Sequence, residues 1–482
     1  IAPGTVIISA AANCIDINKV VEPVLKHTDD AIYYINLSQD AHELGGSSFA
    51  QILNKIGKNT PGIQDAASFK KAFNAVQELI NTDKIIAGHD IGSGGLITTL
   101  LEMCFADNGL AADYDLSAIG ESDSVKLLFS ENIGIVFQAD ASAEDYLKSQ
   151  NVEFFKIGKV TSNDSVTIKN GEFSVSLNVA ETRDTWYKTS YLLDKKQSGN
   201  VKALERFTNY KNQPLEYIFP SHFDGKKPVF DAKNRPKAAI LREKGSNSER
   251  EMANAMYLAG FDVKDIHMTD LISGREDLED IQFIGSVGGF SNSDVLGSAK
   301  GWAGAFLYNE KARTAITNFF EREDTLSVGI CNGCQLFVEL GLLTPKHAVK
   351  PKMMHNQSAK HESSFVNVTI QPNNSVMLGS LAGSKLGVWI SHGEGRFELP
   401  YGEDRYDIVG KYSYEGYPAN PNGSHFDVAM MADETGRHLV TMPHIERSTF
   451  QWNWPYYQDG RKDEVTPWLE AFVNARKWIE KK

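Results

Sequence analysis

The residues best placed to do covalent chemistry are in Gly329-Ile330-Cys331-Asn332-Gly333-Cys334-Gln335. Residues 325–330 before the thiol form a short apolar run, and residues 336–340 after it repeat at helical spacing. This pattern predicts a buried strand, a tight bend and a helix with one wet and one dry side. The glycines permit backbone angles that larger residues resist, and a strand-to-helix elbow turns its central side chain out of the sheet edge. Free N–H groups and the positive end of the helix dipole favour a thiolate there. An unassisted thiol, with a pKa of ~8.5, is only a few per cent ionised at neutral pH. Cys331 therefore has the setting of a nucleophile.

A nucleophile needs a base. The strand-like run 438–442 is followed by Pro443-His444-Ile445-Glu446-Arg447. Residues two apart in an extended chain face the same way, so Glu446 can orient one ring nitrogen of His444 while the other faces Cys331. Alone, His-x-Glu fits a buried structural histidine or a surface ion pair better than a catalytic pair. In the same α/β segment as the elbow, it predicts a triad of Cys331, His444 and Glu446.

The elements that must hold these groups begin near Lys237. A strand at 238–241, a capping box Ser248-x-x-Glu251, and Met252, Ala255, Met256 and Ala259 at helical spacing stop at Gly260. Strands at 262–268 and 283–287 follow, the second running into Gly288-Gly289. Such alternation predicts a mainly parallel sheet covered by helices, with its site at the carboxyl ends of the strands. The last helix is capped by Thr466 and places Trp468, Phe472, Ala475 and Ile479 on one packing face.

The first part of the chain reads as α+β, with strands at 31–37, 133–137, 152–161, 165–170 and 173–179. Two of its junctions are glycine-rich: Leu44-Gly45-Gly46-Ser47, and His89-Asp90-Ile91-Gly92-Ser93-Gly94-Gly95-Leu96. Each can offer N–H groups to an anion or be an ordinary turn and cap. Asp90 can hold magnesium or close a loop. Regularity fades between 195 and 235, which predicts a linker and a domain boundary near 235.

The chain has 482 residues, enough for two or three domains. A hydrophobic share of 41%, a charge of −13 and a pI near 5.5 suit a globular protein without a nucleic-acid face. Nothing reads as a membrane span. Cys14, Cys104, Cys331 and Cys334 do not form a disulfide framework and suit a reducing cytoplasm. The C-x-x-C of Cys331 and Cys334 lacks a second pair for zinc, and Cys334 reads as a packing residue. The opening residues Ile1-Ala2-Pro3-Gly4 read as the middle of a longer protein.

Gly-x-Cys-x-Gly-x-Gln with a distant His-x-Glu resembles the class I, or triad, glutamine amidotransferases. Narrower wording lies in Gly288-Gly289-Phe290-Ser291, Asp294-Val295-Leu296-Gly297 and Gly301-Trp302-Ala303. With Ser391-His392-Gly393-Glu394-Gly395-Arg396 and Tyr417-Pro418-Ala419-Asn420-Pro421-Asn422-Gly423-Ser424, it is similar to the large, single-chain phosphoribosylformylglycinamidine synthase family. The resemblance implies a truncated second-half synthetase domain of the aminoimidazole-ribonucleotide-synthetase type at 1–194. A linker at 195–235 and an amidotransferase domain at 236–482 should follow.

The same resemblance implies that Gly288, Gly289, Phe290 and Asn332 serve the oxyanion, and that Gln335 and His392, with Glu394, hold glutamine. It further implies that Asp90 binds magnesium beside an auxiliary ATP or ADP contacted at Gly92 or Ser93. Two departures stand out. The family often has Ser-Asp where this chain has Gly92-Ser93, and Pro where it has Ile445. The full enzyme would be a cytoplasmic, monomeric ligase of purine biosynthesis, using glutamine, ATP and formylglycinamide ribonucleotide. Its first synthetase half would lie upstream, leaving this chain without a complete synthetase site. Two rivals are a free-standing γ-glutamyl hydrolase or peptidase, and a nucleotide-stabilised scaffold with a silent glutaminase.

Overall fold

Alternate residues of the strand Ala31–Asn36 enter different cores: Ile32 and Tyr34 one, Tyr33 and Ile35 the other. This period of two requires layers on both faces of the sheet. The computed structural model supplies them, and describes residues 7–212, 216–231, 233–297, 299–413, 416–458 and 460–482. The opening Ile1-Ala2-Pro3-Gly4 lies outside the described residues. The chain divides into two compact units, Ile1–Thr189 and Ser190–Lys482.

The first unit is built on β1 (Ala31–Asn36), β2 (Ile85–Asp90), β3 (Ala111–Asp115), β4 (Gly134–Ala139), β5 (Phe155–Thr161), β6 (Ser165–Asn170) and β7 (Phe173–Asn178). Their order is β2-β4-β1-β5-β3-β6-β7, antiparallel at every pairing except β3 with β6. Helix Ala66–Asn81 sends Ala72, Ala75, Val76 and Leu79 into one core, and helix Gly95–Glu102 sends Leu96 and Leu100 into the other. Ser47 caps the short helix after the first glycine turn, accepting the Ala50 N–H at 3.2 Å.

Helix Val179–Asn209 occupies the first part of the stretch expected to be a linker. A break at Gly199 (φ 74°) bends it, and its later residues belong to the second unit. Charge pairing fastens them. Arg206 Nη2 lies 2.7 Å from Glu362 Oε2, Lys360 Nζ lies 2.6 Å from Asp194 Oδ1, and Tyr417 donates its hydroxyl to Glu362 at 2.8 Å. The polar composition that suggests a linker is thus spent on partly buried ion pairs.

The second unit carries β8 (Lys237–Arg242), β9 (Asp262–His267), β10 (Phe283–Ser286), β11 (Leu326–Ile330), β12 (Lys352–Met354), β13 (Glu362–Ile370), β14 (Lys385–His392), β15 (Arg396–Glu398), β16 (Asp407–Tyr412), β17 (Val428–Ala432) and β18 (His438–Thr441). Nine form one sheet in the order β14-β13-β16-β17-β18-β11-β10-β8-β9, while β12 and β15 pair separately. Parallel pairing runs only from β18 to β9; β14 to β18 pair antiparallel. The sheet is therefore mixed rather than mainly parallel. Every residue of β10 and β11 is buried, as expected for parallel strands covered on both faces.

Two local expectations fail for the same reason: a nearby backbone takes the polar side chain. Ser248 precedes helix Glu249–Leu258 at φ 70° and forms no cap; its hydroxyl instead accepts the Gly288 N–H at 3.4 Å. Helix Asn332–Glu339 has no wet side through Val338. Its Asn332 Oδ1 accepts the Ser291 N–H, and its Gln335 Nε2 donates to the Glu394 carbonyl.

Candidate active site

The neighbours β10, β11 and β18 run parallel, so their carboxyl ends bring Gly288, Cys331 and His444 to one edge. Cys331 occupies the elbow at φ 52°, ψ −104°, a conformation costing a non-glycine residue about 1–3 kcal/mol. Its N–H donates to the Thr441 carbonyl at 2.8 Å, and its carbonyl accepts the Gln335 N–H at 3.0 Å. The elbow closes this tightly because residue 333 has no side chain: a Cβ there would stand 2.2 Å from the Ser286 carbonyl oxygen.

His444 donates its backbone N–H to the Trp389 carbonyl at 2.8 Å, which pins it to β14. Its Nδ1 lies 2.7 Å from Glu446 Oε1, and both side chains are buried. The pair does not use the extended chain expected from its spacing. Ile445–Arg447 is a turn of 3-10 helix, and the carboxylate reaches the ring across it. Burial by itself would depress the imidazole. The Glu446 charge and then the neighbouring Cys331 outweigh it and raise the His444 pKa to about 10. Burial likewise pushes the Glu446 carboxyl up, but His444 and then Arg447 pull it below its ordinary value. His444 is thus hydrogen-bonded to Glu446, and its ring and the Cys331 side chain both border Gly288.

In front of the thiol lies a cavity of about 510 Å³, lined by Phe290, Cys331, Gln335, His361, His392 and Glu394 among others. Cys331 Sγ lies 3.6 Å from the Ser391 carbonyl oxygen. Gln335 is on the wall, but its amide is committed, accepting from Asn332 at 2.8 Å and donating to Glu394 at 2.6 Å. It braces the cavity wall, with one amide hydrogen and one oxygen lone pair uncommitted. His392 is buried, and burial, followed by its neighbours His444 and His361, lowers its pKa to about 3. Asp294 also borders the cavity; partial desolvation and then the Glu394 charge raise its carboxyl to about 6.

The glycine loop is close to Cys331 and His444 but not uniformly available. The Phe290 N–H donates to the Gly245 carbonyl at 2.9 Å, and the Gly288 N–H points to Ser248 Oγ at 3.4 Å. Expected roles for those two amides at an oxyanion are therefore corrected, leaving Gly289 and Asn332 as candidates. The Phe290 ring instead faces the cavity and packs 5.9 Å from His361. Gly288 matters by having no Cβ, which would stand 2.7 Å from His444 Cε1 and 3.4 Å from Cys331 Cβ.

Sequence reasoning missed Asn356, Lys360 and His361, all on the cavity wall. They belong to an irregular stretch before β13, where no periodicity or motif marks them. Cys334 is buried with its thiol pushed up by desolvation, in keeping with a packing role. All four cysteines are free.

In the first unit, Asp90 ends β2 with its carboxylate largely exposed, 3.3 Å from His89 Nδ1. Gly94 and Ser48, from the two glycine-rich turns, both donate their N–H to Glu131 Oε1, at 2.9 and 2.8 Å. The protein's own carboxylate thus fills the place an anion would take. Gly92 gives its carbonyl to the Gly95 N–H, and Ser93 is exposed. Among the described residues, no group of three or more His, Cys, Asp or Glu converges as a metal site. Among the described residues, no helix is long and apolar enough to cross a membrane.

Comparison with known proteins agrees with this division. Residues 235–479 match the CobB/CobQ-like glutamine amidotransferase domain, and residues 28–169 match the C-terminal domain of AIR synthase related proteins. An Arabidopsis thaliana relative, named "Probable phosphoribosylformylglycinamidine synthase, chloroplastic/mitochondrial", is 37% identical over 99% of this chain and 36% of its own length. The Homo sapiens phosphoribosylformylglycinamidine synthase is 35% identical over 99% of this chain and 38% of its own length. The chain thus spans somewhat more than a third of these relatives. The structure of PurLQS from Thermotoga maritima is 24% identical, covers 52% of this chain and 99% of the matched chain, and has a TM-score of 0.40.

Proposed function

The chain belongs to the CobB/CobQ-like glutamine amidotransferase family, and we propose that its second unit hydrolyses glutamine through Cys331, His444 and Glu446. The observation that carries the reading is a thiol on a strained elbow, beside an imidazole that a buried carboxylate holds at 2.7 Å. In this reading His444 takes the Cys331 proton before the attack. The thiolate adds to the side-chain carbonyl carbon of glutamine, and the oxyanion meets the Gly289 and Asn332 amides. His444 then gives its proton to the departing nitrogen, so that ammonia leaves and a thioester remains. Water, deprotonated by His444, adds to the thioester, and its collapse releases glutamate and restores the ion pair.

In the longer enzyme, the ammonia feeds an ATP-dependent conversion of formylglycinamide ribonucleotide to its amidine. This assignment follows the likeness of nearly the whole chain to phosphoribosylformylglycinamidine synthases. ATP and magnesium are assigned to that whole reaction; in the first unit, Glu131 accepts an amide N–H from each of the two glycine-rich turns.

Isotope-labelled glutamine tests the reading. Glutamate release that disappears in Cys331→Ala, with a glutamyl thioester trapped on the parent, supports the triad. Release that survives the substitution removes it.

A further inference from the structure

β14 ends at His392 and β15 begins at Arg396, so residues 393–395 run between them outside any strand. Gly393 and Glu394 line the cavity in front of Cys331. Backbone groups without a ladder need partners elsewhere, and here they come from three other segments. The Gly393 carbonyl accepts the Asn356 N–H at 2.9 Å, and the Glu394 carbonyl accepts from Gln335 Nε2 at 2.6 Å. The Gly395 carbonyl accepts from Asn422 Nδ2 at 2.7 Å, while its N–H donates to Asn356 Oδ1 at 3.1 Å. Two buried asparagines thus grip Gly395 on both sides of its α-carbon. Only backbone can be gripped there, because a Cβ on residue 395 would stand 2.5 Å from His392 Nδ1. Asn422 does not itself line the cavity. Its second amide hydrogen goes to the Tyr412 hydroxyl at 3.2 Å, and its Oδ1 accepts the Ser424 N–H at 3.0 Å and hydroxyl at 2.7 Å. These four bonds use the whole amide and fix its orientation.

We propose that Asn422 is a positioning residue for glutamine, holding the 393–395 wall of the thiol cavity from behind through Gly395. This deepens the glutaminase reading and rests on it. From Gly395 the hold passes one residue back to the Glu394 carbonyl, which anchors Gln335 on the helix Asn332–Glu339. Gln335 Oε1 in turn accepts from Asn332 at 2.8 Å, and Asn332 Oδ1 accepts the Ser291 N–H of the glycine loop at 3.1 Å. Side-chain amides therefore join three walls of the cavity into one hydrogen-bonded girdle. Without the Asn422 amide, the Gly395 carbonyl is left buried and unpaired, and the loop gains by turning it towards water. The wall carrying Gly393 and Glu394 retreats with it. The elbow does not depend on this loop: the Cys331 N–H is held by the Thr441 carbonyl, and the His444 ring by Glu446. Loss of Asn422 thus weakens the binding of glutamine and spares the reactivity of the thiol.

The test uses the full chain and three measurements on Asn422→Ala: KM and kcat for L-glutamine, the rate at which iodoacetamide alkylates Cys331 (followed on its peptide by mass spectrometry), and the thermal midpoint. KM should rise about tenfold or more, with kcat and the alkylation rate each within about threefold of the parent. Asn420→Ala is the matched control. Asn420 is a buried asparagine of the same loop, and its amide bonds only to Gly423, Ser424 and Asp427. It should lower the thermal midpoint comparably and leave KM near the parent value. An unmoved KM in folded Asn422→Ala overturns the proposal, as does an equal rise in Asn420→Ala or an alkylation rate that falls in parallel with turnover. Each of those results leaves the glutaminase reading intact. Should Asn422→Ala not fold, Asn422→Ser is read the same way. If the parent's glutamine hydrolysis does not depend on Cys331, the glutaminase reading falls and this proposal falls with it.

Discussion

Replacing Gly288 with alanine adds one methyl group at the point where three strands deliver the reacting groups. Gly288 does not have a positive φ, so alanine meets no backbone penalty and the effect is purely one of contact. The added carbon would stand 2.7 Å from His444 Cε1 and 3.4 Å from Cys331 Cβ. Carbon atoms attract best at about 3.5–4.0 Å, so the ring or the loop must retreat by roughly 1 Å. Neither can do so freely. The ring is buried and held by Glu446 at 2.7 Å, and the Gly288 carbonyl accepts the Asn247 N–H at 2.8 Å. If the ring moves, it leaves the thiol; if the loop moves, it takes the Gly289 amide with it. A displacement of this size at a reacting centre typically costs about a hundredfold in rate, or about 2.7 kcal/mol of barrier. Steady-state glutamine hydrolysis, with circular dichroism to verify folding, measures the loss. A folded Gly288→Ala protein within threefold of the parent kcat/KM would refute the packing of His444 against this loop.

Glu446→Gln removes the charge that outweighs burial at His444, so the ring pKa should fall from about 10 to below its ordinary ~6.5. The imidazolium then persists only below that lower value. The alkaline limb of kcat/KM should move from near pH 10 to below pH 7, with about a thirtyfold or larger loss at pH 8; an unmoved limb contradicts the assignment. Asp294 has a folded pKa near 6, above its ordinary carboxyl value, so its ionisation opposes folding once the pH exceeds the unfolded value. Asp294→Asn should raise the thermal midpoint at pH 7.5 and leave it unchanged near pH 3; a rise of equal size at both pH values excludes this cause. Arg206→Met leaves the Glu362 and Asp194 carboxylates short of a cation in a partly buried cluster. It should lower stability by about 3 kcal/mol in denaturant unfolding, whereas an unchanged midpoint shows that residues 190–209 do not brace the second unit.

The parallel strands β8, β9, β10, β11 and β18 were legible to within a residue or two because buried parallel strands are written as continuous apolar runs. Residues 283–287 and 325–330 announce β10 and β11 with little competition. Cys331 was legible because few arrangements put glycines on both sides of a thiol between such a strand and a helix. Several local failures concern the destination of a polar side chain. Ser248 has the spacing of a cap, yet a glycine amide from β10's far end reaches its hydroxyl first. Gln335 has the position of a ligand contact, yet the Glu394 carbonyl claims its amide. Such bonds join residues tens of positions apart, and no local pattern records them.

The His444–Glu446 pair shows how a correct pairing can rest on an incorrect geometry. Spacing by two predicts a shared face only for extended chain, whereas Ile445–Arg447 turns as 3-10 helix. The pair meets because His444 is tied to Trp389 across to β14 and Glu446 is buried beneath it, not because of strand alternation. The same tie explains why Ile445 can stand where relatives of this type were expected to have proline. A proline ring would restrict this bend, but here the bend is already set by the Trp389 hydrogen bond and by a fully buried Ile445 side chain. Backbone pairing and packing together do what a rigid residue would do, so the departure from the expected motif leaves the base and its carboxylate in contact.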